Sequence, residues 1–374
     1  MIFLQLKIDN FYMFEDTFID FTYPKKNKNS TIEGEFLKEF PKINYKRVCI
    51  FMGANASGKT SLGRVMCAIN NYLVGRPVED VPSKICDKDK DAIFKVTYVT
   101  PETKEIHQLE AKFNKDGLIF ESYQSCDLKT SYSLIETLSK VQNSEPKFQY
   151  DTDNNYDIAN PGFQSVALLK GYKLHGDEHI WHYMFSETNS STELNSNTDI
   201  QLLRNILLSF DLSISEITKV KESDKNAYII KFLNGNEVDV KDGKVLNSER
   251  LSRGTFEALE VAEFIHSVIS RDNATLFLDE KMAYSHSEIE LSMLNLMIEK
   301  LKENSQLFYT THNYDVLEMN LPSHSYIFMR KEDFVEVIHP EKLGYTKNDR
   351  SLLGFVKNDV FGTLPDTAKI EELL

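Results

Sequence analysis

The stretch FMGANASGKTSL, residues 51–62, sets Gly53 and Gly58 with four residues between them, directly ahead of Lys59 and Thr60. That is the P-loop spacing, and its chemistry is the holding of phosphate. Glycines let the chain turn tightly enough for backbone N–H groups at a helix N-terminus to face an anion, which the helix dipole also favours. Lys59 would reach the outer phosphates, and the Thr60 hydroxyl would sit on Mg²⁺. The set expected at a nucleotide is Gly53, Asn55, Ser57, Gly58, Lys59, Thr60 and Ser61.

Such a loop needs a carboxylate from a neighbouring strand to hold the metal. LFLDE supplies Asp279 for that role beside Thr60, and Glu280 next to it for polarising the attacking water as a general base. An Asp-Glu pair alone is an ordinary charged strand end. Behind a four-residue apolar run, with a P-loop upstream, it reads as chemistry. In LSRGT, residues 251–255, Ser252, Gly254 and Thr255 stand at a helix start. Exposed amides and a hydroxyl there make a second anion site, although serine and threonine also serve as plain helix caps. SQLFYTTHN then ends near His312.

The flanking patterns place these groups. IFLQLKID (2–9) and TFIDFT (17–22) read as two strands, and KRVCIFM as a buried strand ending at Gly53. Leu62, Val65, Met66, Ile69 and Leu73 recur at helical spacing, so the loop lies between strand and helix, as the motif requires. Residues 92–99, 105–113 and 118–123 read as an antiparallel set. From 126 to 200 the chain turns Ser/Asn/Asp-rich with short helical patches, read as loops or an insertion. IQLLRNILLSFDLSI is helix-like, AYIIKFL and EVDVK are strands joined as a hairpin by Asn234-Gly235-Asn236, and ERLSRGTFEALEVAEFIHSVIS is a helix. ATLFLDE and SQLFYTTHN are strands, and 325–374 reads as strands with a short helix.

The order of P-loop, Ser-x-Gly helix start, strand-Asp-Glu and strand-Thr-His resembles the ABC-type ATPases, the RecF/SMC-like branch more than the transporters. LQLKIDNFYMFEDTFIDF is similar to the opening strand pair of that branch. The resemblance implies an α/β fold: an ABC-type ATPase head with a P-loop mixed sheet, helices and an antiparallel β subdomain, carrying a partly helical insertion. Its divisions would be an N-terminal lobe at 1–125, the insertion at 126–200 and a C-terminal lobe at 201–374. It also implies ATP and Mg²⁺ as cofactors. The signature residues Ser252, Arg253, Gly254 and Thr255 would act in trans on phosphate held by another subunit's P-loop, and His312 would touch the same phosphate. A head-to-tail dimer or larger oligomer follows. LSRGTFEALEVA, the run from Asp279 to His286 and VFGTLP resemble abortive-infection-type ATPases of phage-defence loci.

Three departures stand out. Tyr12 and Met13 occupy the place where relatives often carry an arginine. KMAYSHS, with Tyr284, Ser285 and Ser287, replaces the usual S-L-H-P. The Q-loop glutamine falls on Gln108, Gln124 or Gln164.

Net charge −14 argues against a protein coated in basic surface for nucleic acid. Lys25, Lys26, Lys28, Lys38, Lys42, Lys46 and Arg47 form a local basic strip, read as a solvated loop and strand edge, so nucleic acid stays open as a partner. The four cysteines show no metal spacing, which suits a reduced cytoplasmic protein. No run is long enough to cross a bilayer, and no membrane partner is expected. Asp151, Asp153 and Asp157 lack the glycine and glutamate of a calcium loop and read as solvated. The residues after His312 hold no DxD for a Toprim nuclease. Arg330, Glu332 and His339 can be drawn as a ribonuclease trio, but the alternating apolar residues around them read more simply as closing strands. The output is therefore expected in a separate effector, a nuclease or toxin. A RecF-like DNA clamp and an assembly module with little hydrolysis are the alternatives.

Overall fold

The structure, a computed structural model, describes residues 1–23, 30–74, 81–152, 180–186, 199–220, 227–241, 244–283, 285–345, 352–365 and 371–372. Lys25, Lys26, Lys28, Asp153, Asp157, Gln164 and Tyr284 lie outside them. In chain order the elements are β1 (Ile2–Asp9), β2 (Thr17–Asp20), β3 (Val48–Met52), α1 (Lys59–Leu73), α2 (Val81–Lys84), β4 (Ala92–Thr100), β5 (Glu105–Asn114), β6 (Gly117–Asp127), α3 (Leu134–Gln142), β7 (Phe148–Asp151) and β8 (Ile180–Met184). They continue as α4 (Ile200–Phe210), β9 (Ile214–Lys219), β10 (Ala227–Phe232), β11 (Glu237–Lys241), β12 (Lys244–Val245), α5 (Arg253–Ser270), β13 (Ala274–Asp279), α6 (Ser287–Lys300), β14 (Gln306–Thr311), β15 (Tyr326–Lys331), β16 (Val335–Ile338) and α7 (Leu352–Lys357). The chain forms two compact units. One comprises Met1–Tyr183, Asp272–Phe277 and Glu303–Leu374, and the other Met184–Arg271 and Leu278–Lys302.

Among the described residues, the first unit holds two six-stranded sheets, save for Met184, Leu278 and Asp279 at the ends of two strands. One is antiparallel, in the order β2-β1-β4-β5-β6-β7; the other runs β16-β15-β3-β14-β13-β8. β3 lies between β14 and β15 and is parallel to both. A strand flanked on both sides and covered on both faces must be apolar throughout, and VCIFM is buried at every position. QLFYTT of β14 is likewise fully buried. Its polar first residue is satisfied: Gln306 accepts from Phe3 N at 2.9 Å and donates to the Phe3 and Lys46 carbonyls at 3.2 and 2.9 Å. That one side chain pins β1 of the antiparallel sheet to the mixed sheet. Phe51, Phe277 and Phe308 stack beside it, with Phe3 and Phe21 edge-on to Phe308. The outer face of α1 delivers Tyr72 to Phe94 and Phe113 of the antiparallel sheet, and its hydroxyl donates to Glu121 at 2.9 Å.

The second unit holds the antiparallel sheet β12-β11-β10-β9. The β10–β11 hairpin turns at Asn234-Gly235, where φ of +82° suits glycine. α4 starts from Asp199, which accepts from the amides of Gln201 and Leu202, and it packs on α5. β7 and β8 are strands in a region whose composition suggested loops and helical patches. Both are short, and IWHYM of β8 lies between polar tracts that hide its pattern. Within the described residues, no helix is long and apolar enough to cross a membrane.

Candidate nucleotide site

β3 ends at Met52 and α1 begins at Lys59, so residues 53–58 are the loop between a buried strand and a helix N-terminus. Ala56 (φ +63°) and Gly58 (φ +99°) take the left-handed conformation, which turns the chain sharply enough to start the helix. Gly58 caps α1 and has no side chain to occupy the helix's first amides. Gly53 serves another purpose, since a methyl there would collide with the carbonyl oxygen of Met329 on β15 and lie 2.8 Å from Ser57 Oγ. The motif's first glycine is thus required by the close approach of a neighbouring strand.

Lys59 is buried, and its ammonium donates to the carbonyls of Gly53 at 2.8 Å and Ala54 at 3.1 Å, folded over the loop it belongs to. Ser57 Oγ is buried with no hydrogen-bond partner among the described residues. A buried hydroxyl without a partner is costly unless an acceptor arrives, and a phosphate oxygen is one. With no capping side chain at Gly58, these residues fit a nucleotide's phosphates. Asn55 is exposed, and Thr60 and Ser61 are half-buried in the first turn of α1.

The register Thr311↔Met52 brings the end of β14 level with the end of β3, so His312 and Gly53 are the first residues to leave the sheet from two neighbouring strands. His312 is exposed, and Asn313 N donates to Thr311 Oγ1 at 3.0 Å to fix the turn that carries it. β13 is the next strand beyond β14 and ends in Asp279. Asp279 is fully buried and accepts from Ser186 Oγ at 3.3 Å. Glu280, half-buried, sits at φ +47°, a conformation an L-residue adopts only when its surroundings hold it there.

In the second unit, Ser252 caps α5 by accepting from Thr255 N at 3.1 Å, and its Oγ lies 2.6 Å from Thr255 Oγ1. Thr255 is buried and donates onward to Asp211 Oδ2 at 2.8 Å. Burial pushes the Asp211 carboxyl up, but hydrogen bonds from Ser213 and Thr255 outweigh it and hold the group below its ordinary value. Arg253 is exposed with Glu257 at 3.7 Å one turn on, and Gly254 is half-buried. The cap presents Ser252 outward on a braced helix end. Asp211 was not legible from the sequence; an aspartate after a helix signals only a turn.

Gln108 and Gln124 sit opposite each other inside β5 and β6, so neither lies in a loop. The described part of the basic strip is engaged internally: Lys38 with Glu303, Lys42 with the Ser131 carbonyl, buried Lys46 with Glu341 at 2.6 Å, and buried Arg47 with the Glu33 carbonyl. Lys46 and Arg47 are core residues, where a solvated edge had been expected. His339 Nδ1 lies 2.9 Å from Lys46, and burial with the adjacent ammonium depresses its pKa to about 2. Arg330 pairs with Glu336 at 2.7 Å. His339 is therefore a neutral core group. Tyr12, at φ +51°, hydrogen-bonds Arg64 of α1, so an arginine stands beside the opening motif although the motif itself lacks one. All four cysteines are free.

No protein-family model matches the chain, and no curated sequence does. Among solved structures it is similar to an SMC head bound to the C-terminal winged-helix domain of ScpA, at 14% identity over 92% of this chain and 100% of that one, TM-score 0.50. It is also similar to an SMC head with an extended coiled coil bound to the C-terminal domain of ScpA, derived from Pyrococcus furiosus, at 12% identity over 92% and 98%, TM-score 0.51. An ATP complex of the recombination mediator RecF aligns over 90% of this chain and 97% of its own, at 14% identity and a TM-score of 0.38, too low to carry an argument. The mixed P-loop sheet joined to an antiparallel sheet gives this chain the fold of the SMC heads, the α/β fold of ABC-type ATPases.

Proposed function

We propose that the chain is an ATP-binding and hydrolysing ABC-type ATPase that dimerises head-to-tail on ATP and so controls a separate effector. The observation that carries this reading is the loop at 53–60, where Ser57 Oγ lacks a partner among the described residues, Lys59 lies over the loop and Gly58 brings no capping side chain to the helix start. Bound Mg²⁺ would neutralise the triphosphate, with Thr60 and Asp279 as its protein partners. Lys59 would trade its two carbonyl bonds for the outer phosphates. Glu280 would take a proton from the attacking water, and His312 would contact the terminal phosphate. Ser252, Arg253, Gly254 and Thr255 would complete the site of a second copy, so that ATP stabilises the dimer by mass action and its hydrolysis releases it.

The anti-phage setting, with a nuclease or toxin as effector, rests on the sequence resemblance of LSRGTFEALEVA, the run from Asp279 to His286 and VFGTLP, and a cytoplasmic location on the cysteine pattern. The rival reading is a RecF-like DNA clamp. The burial of Lys46 and Arg47, each bonded within the core, counts against it, and a steep fall of duplex affinity with salt would restore it. The decisive experiment is light scattering of the Glu280→Gln chain with saturating ATP, against Lys59→Ala. The expected result is an ATP-dependent dimer for the first and no nucleotide binding for the second. A Glu280→Gln chain that stays monomeric refutes the composite site.

A further inference from the structure

KMAYSHS follows the carboxylate pair and departs from the pattern of the branch, and its fold supplies an anchor of its own. Lys281 comes directly after Glu280. Its ammonium lies 2.6 Å from Glu260 Oε2, and the two side chains are only 3% and 2% exposed. Glu260 lies two turns into α5, the helix that Ser252 caps. Met282 is buried as well, and the amide and hydroxyl of Ser285 both bond its carbonyl, closing a turn behind the anchor.

We propose that the Lys281–Glu260 ion pair is a positioning device for Glu280, tying the carboxylate's backbone to the helix that carries the signature. This deepens the reading of Glu280 as the general base and rests on it. The φ of +47° at Glu280 has to be imposed from outside, and the residue beside it is the one clamped to α5. A buried ion pair is a poor way to gain stability, since apolar residues of similar size hold a core as well or better. What it supplies is direction, because a charge-assisted bond of this length fixes both partners to a narrow geometry. Lys281 and Glu260 thus set where the Glu280 carboxylate points without touching nucleotide.

The test is steady-state hydrolysis by the full chain, with ATP affinity and urea unfolding measured alongside. Lys281→Met and Glu260→Gln should lower kcat by ~100-fold, the scale of a misplaced catalytic group, while ATP affinity is retained. The double variant Glu260→Leu/Lys281→Met, which leaves no unpaired buried charge, should unfold at the wild-type urea midpoint and keep the low kcat. A double variant that recovers both midpoint and kcat overturns the proposal, because the pair would then be structural only. Glu280→Gln run in parallel separates the two levels. If it hydrolyses ATP at the wild-type rate, the reading of Glu280 as base fails; if it is inactive while Lys281→Met is unaffected, the positioning role alone fails.

Discussion

Replacing Thr255 by valine removes one hydroxyl and almost nothing else, because the two side chains have nearly the same shape. That hydroxyl lies 2.6 Å from Ser252 Oγ and donates to Asp211 Oδ2 at 2.8 Å. A hydrogen bond to a charged acceptor contributes about 1.5–3 kcal/mol. Asp211 keeps two bonds from Ser213 and is half-buried, so partial screening places the loss at or just under the bottom of that range, ~1–1.5 kcal/mol. The assay is a double-mutant cycle of Thr255→Val and Asp211→Asn by urea unfolding, repeated across pH. The expected coupling at neutral pH is ~1 kcal/mol. Asp211 titrates below its ordinary 3.8 in the folded chain, so its contribution is complete above that value and is lost as pH falls through the lower, folded pKa. The coupling should shrink with it. Additivity within ~0.3 kcal/mol at neutral pH, or a coupling indifferent to acid, would refute the brace. Because the brace holds the cap that presents Ser252, Thr255→Val should also weaken ATP-dependent dimerisation.

Gly53→Ala should destabilise the chain by ~1–3 kcal/mol, since the methyl meets a strand carbonyl that cannot swing aside; urea unfolding and ATP affinity should fall together. His339 gives a pH signature. Its folded pKa lies far below the unfolded 6.5, so below pH 6.5 the unfolded chain binds a proton that the folded chain refuses. Stability should drop by up to ~1.4 kcal/mol per pH unit from that group, and His339→Asn should flatten the slope between pH 6.5 and 4. Lys46→Met leaves Glu341 without its buried ammonium and should cost ~3 kcal/mol or more at neutral pH, read by the same unfolding assay.

Much of this protein follows from local sequence. VCIFM before Gly53, the spaced apolar residues of α1, the alternation of β4 to β6 and the Asn234-Gly235 turn all state their conformation within a few residues, because periodicity and turn chemistry act at short range. The glycine loop before α1, the carboxylates at the end of β13 and the capped start of α5 are legible as local structure for the same reason. Other features depend on residues far apart in the chain. β3 lies between β14 and β15, Gln306 reaches Phe3 and Lys46, and Gly53 is glycine because Met329 arrives beside it. The lysines of the basic strip look solvated in sequence, yet Lys46 is core because Glu341 and His339 meet it there. Asp211 beneath Thr255 and Glu260 against Lys281 belong to the same class. Residue types and their spacing determined by themselves the local elements and which groups are proposed for the chemistry. Only the tertiary structure decided what braces those groups, since a partner brought in by chain pairing over long sequence separations leaves no local pattern.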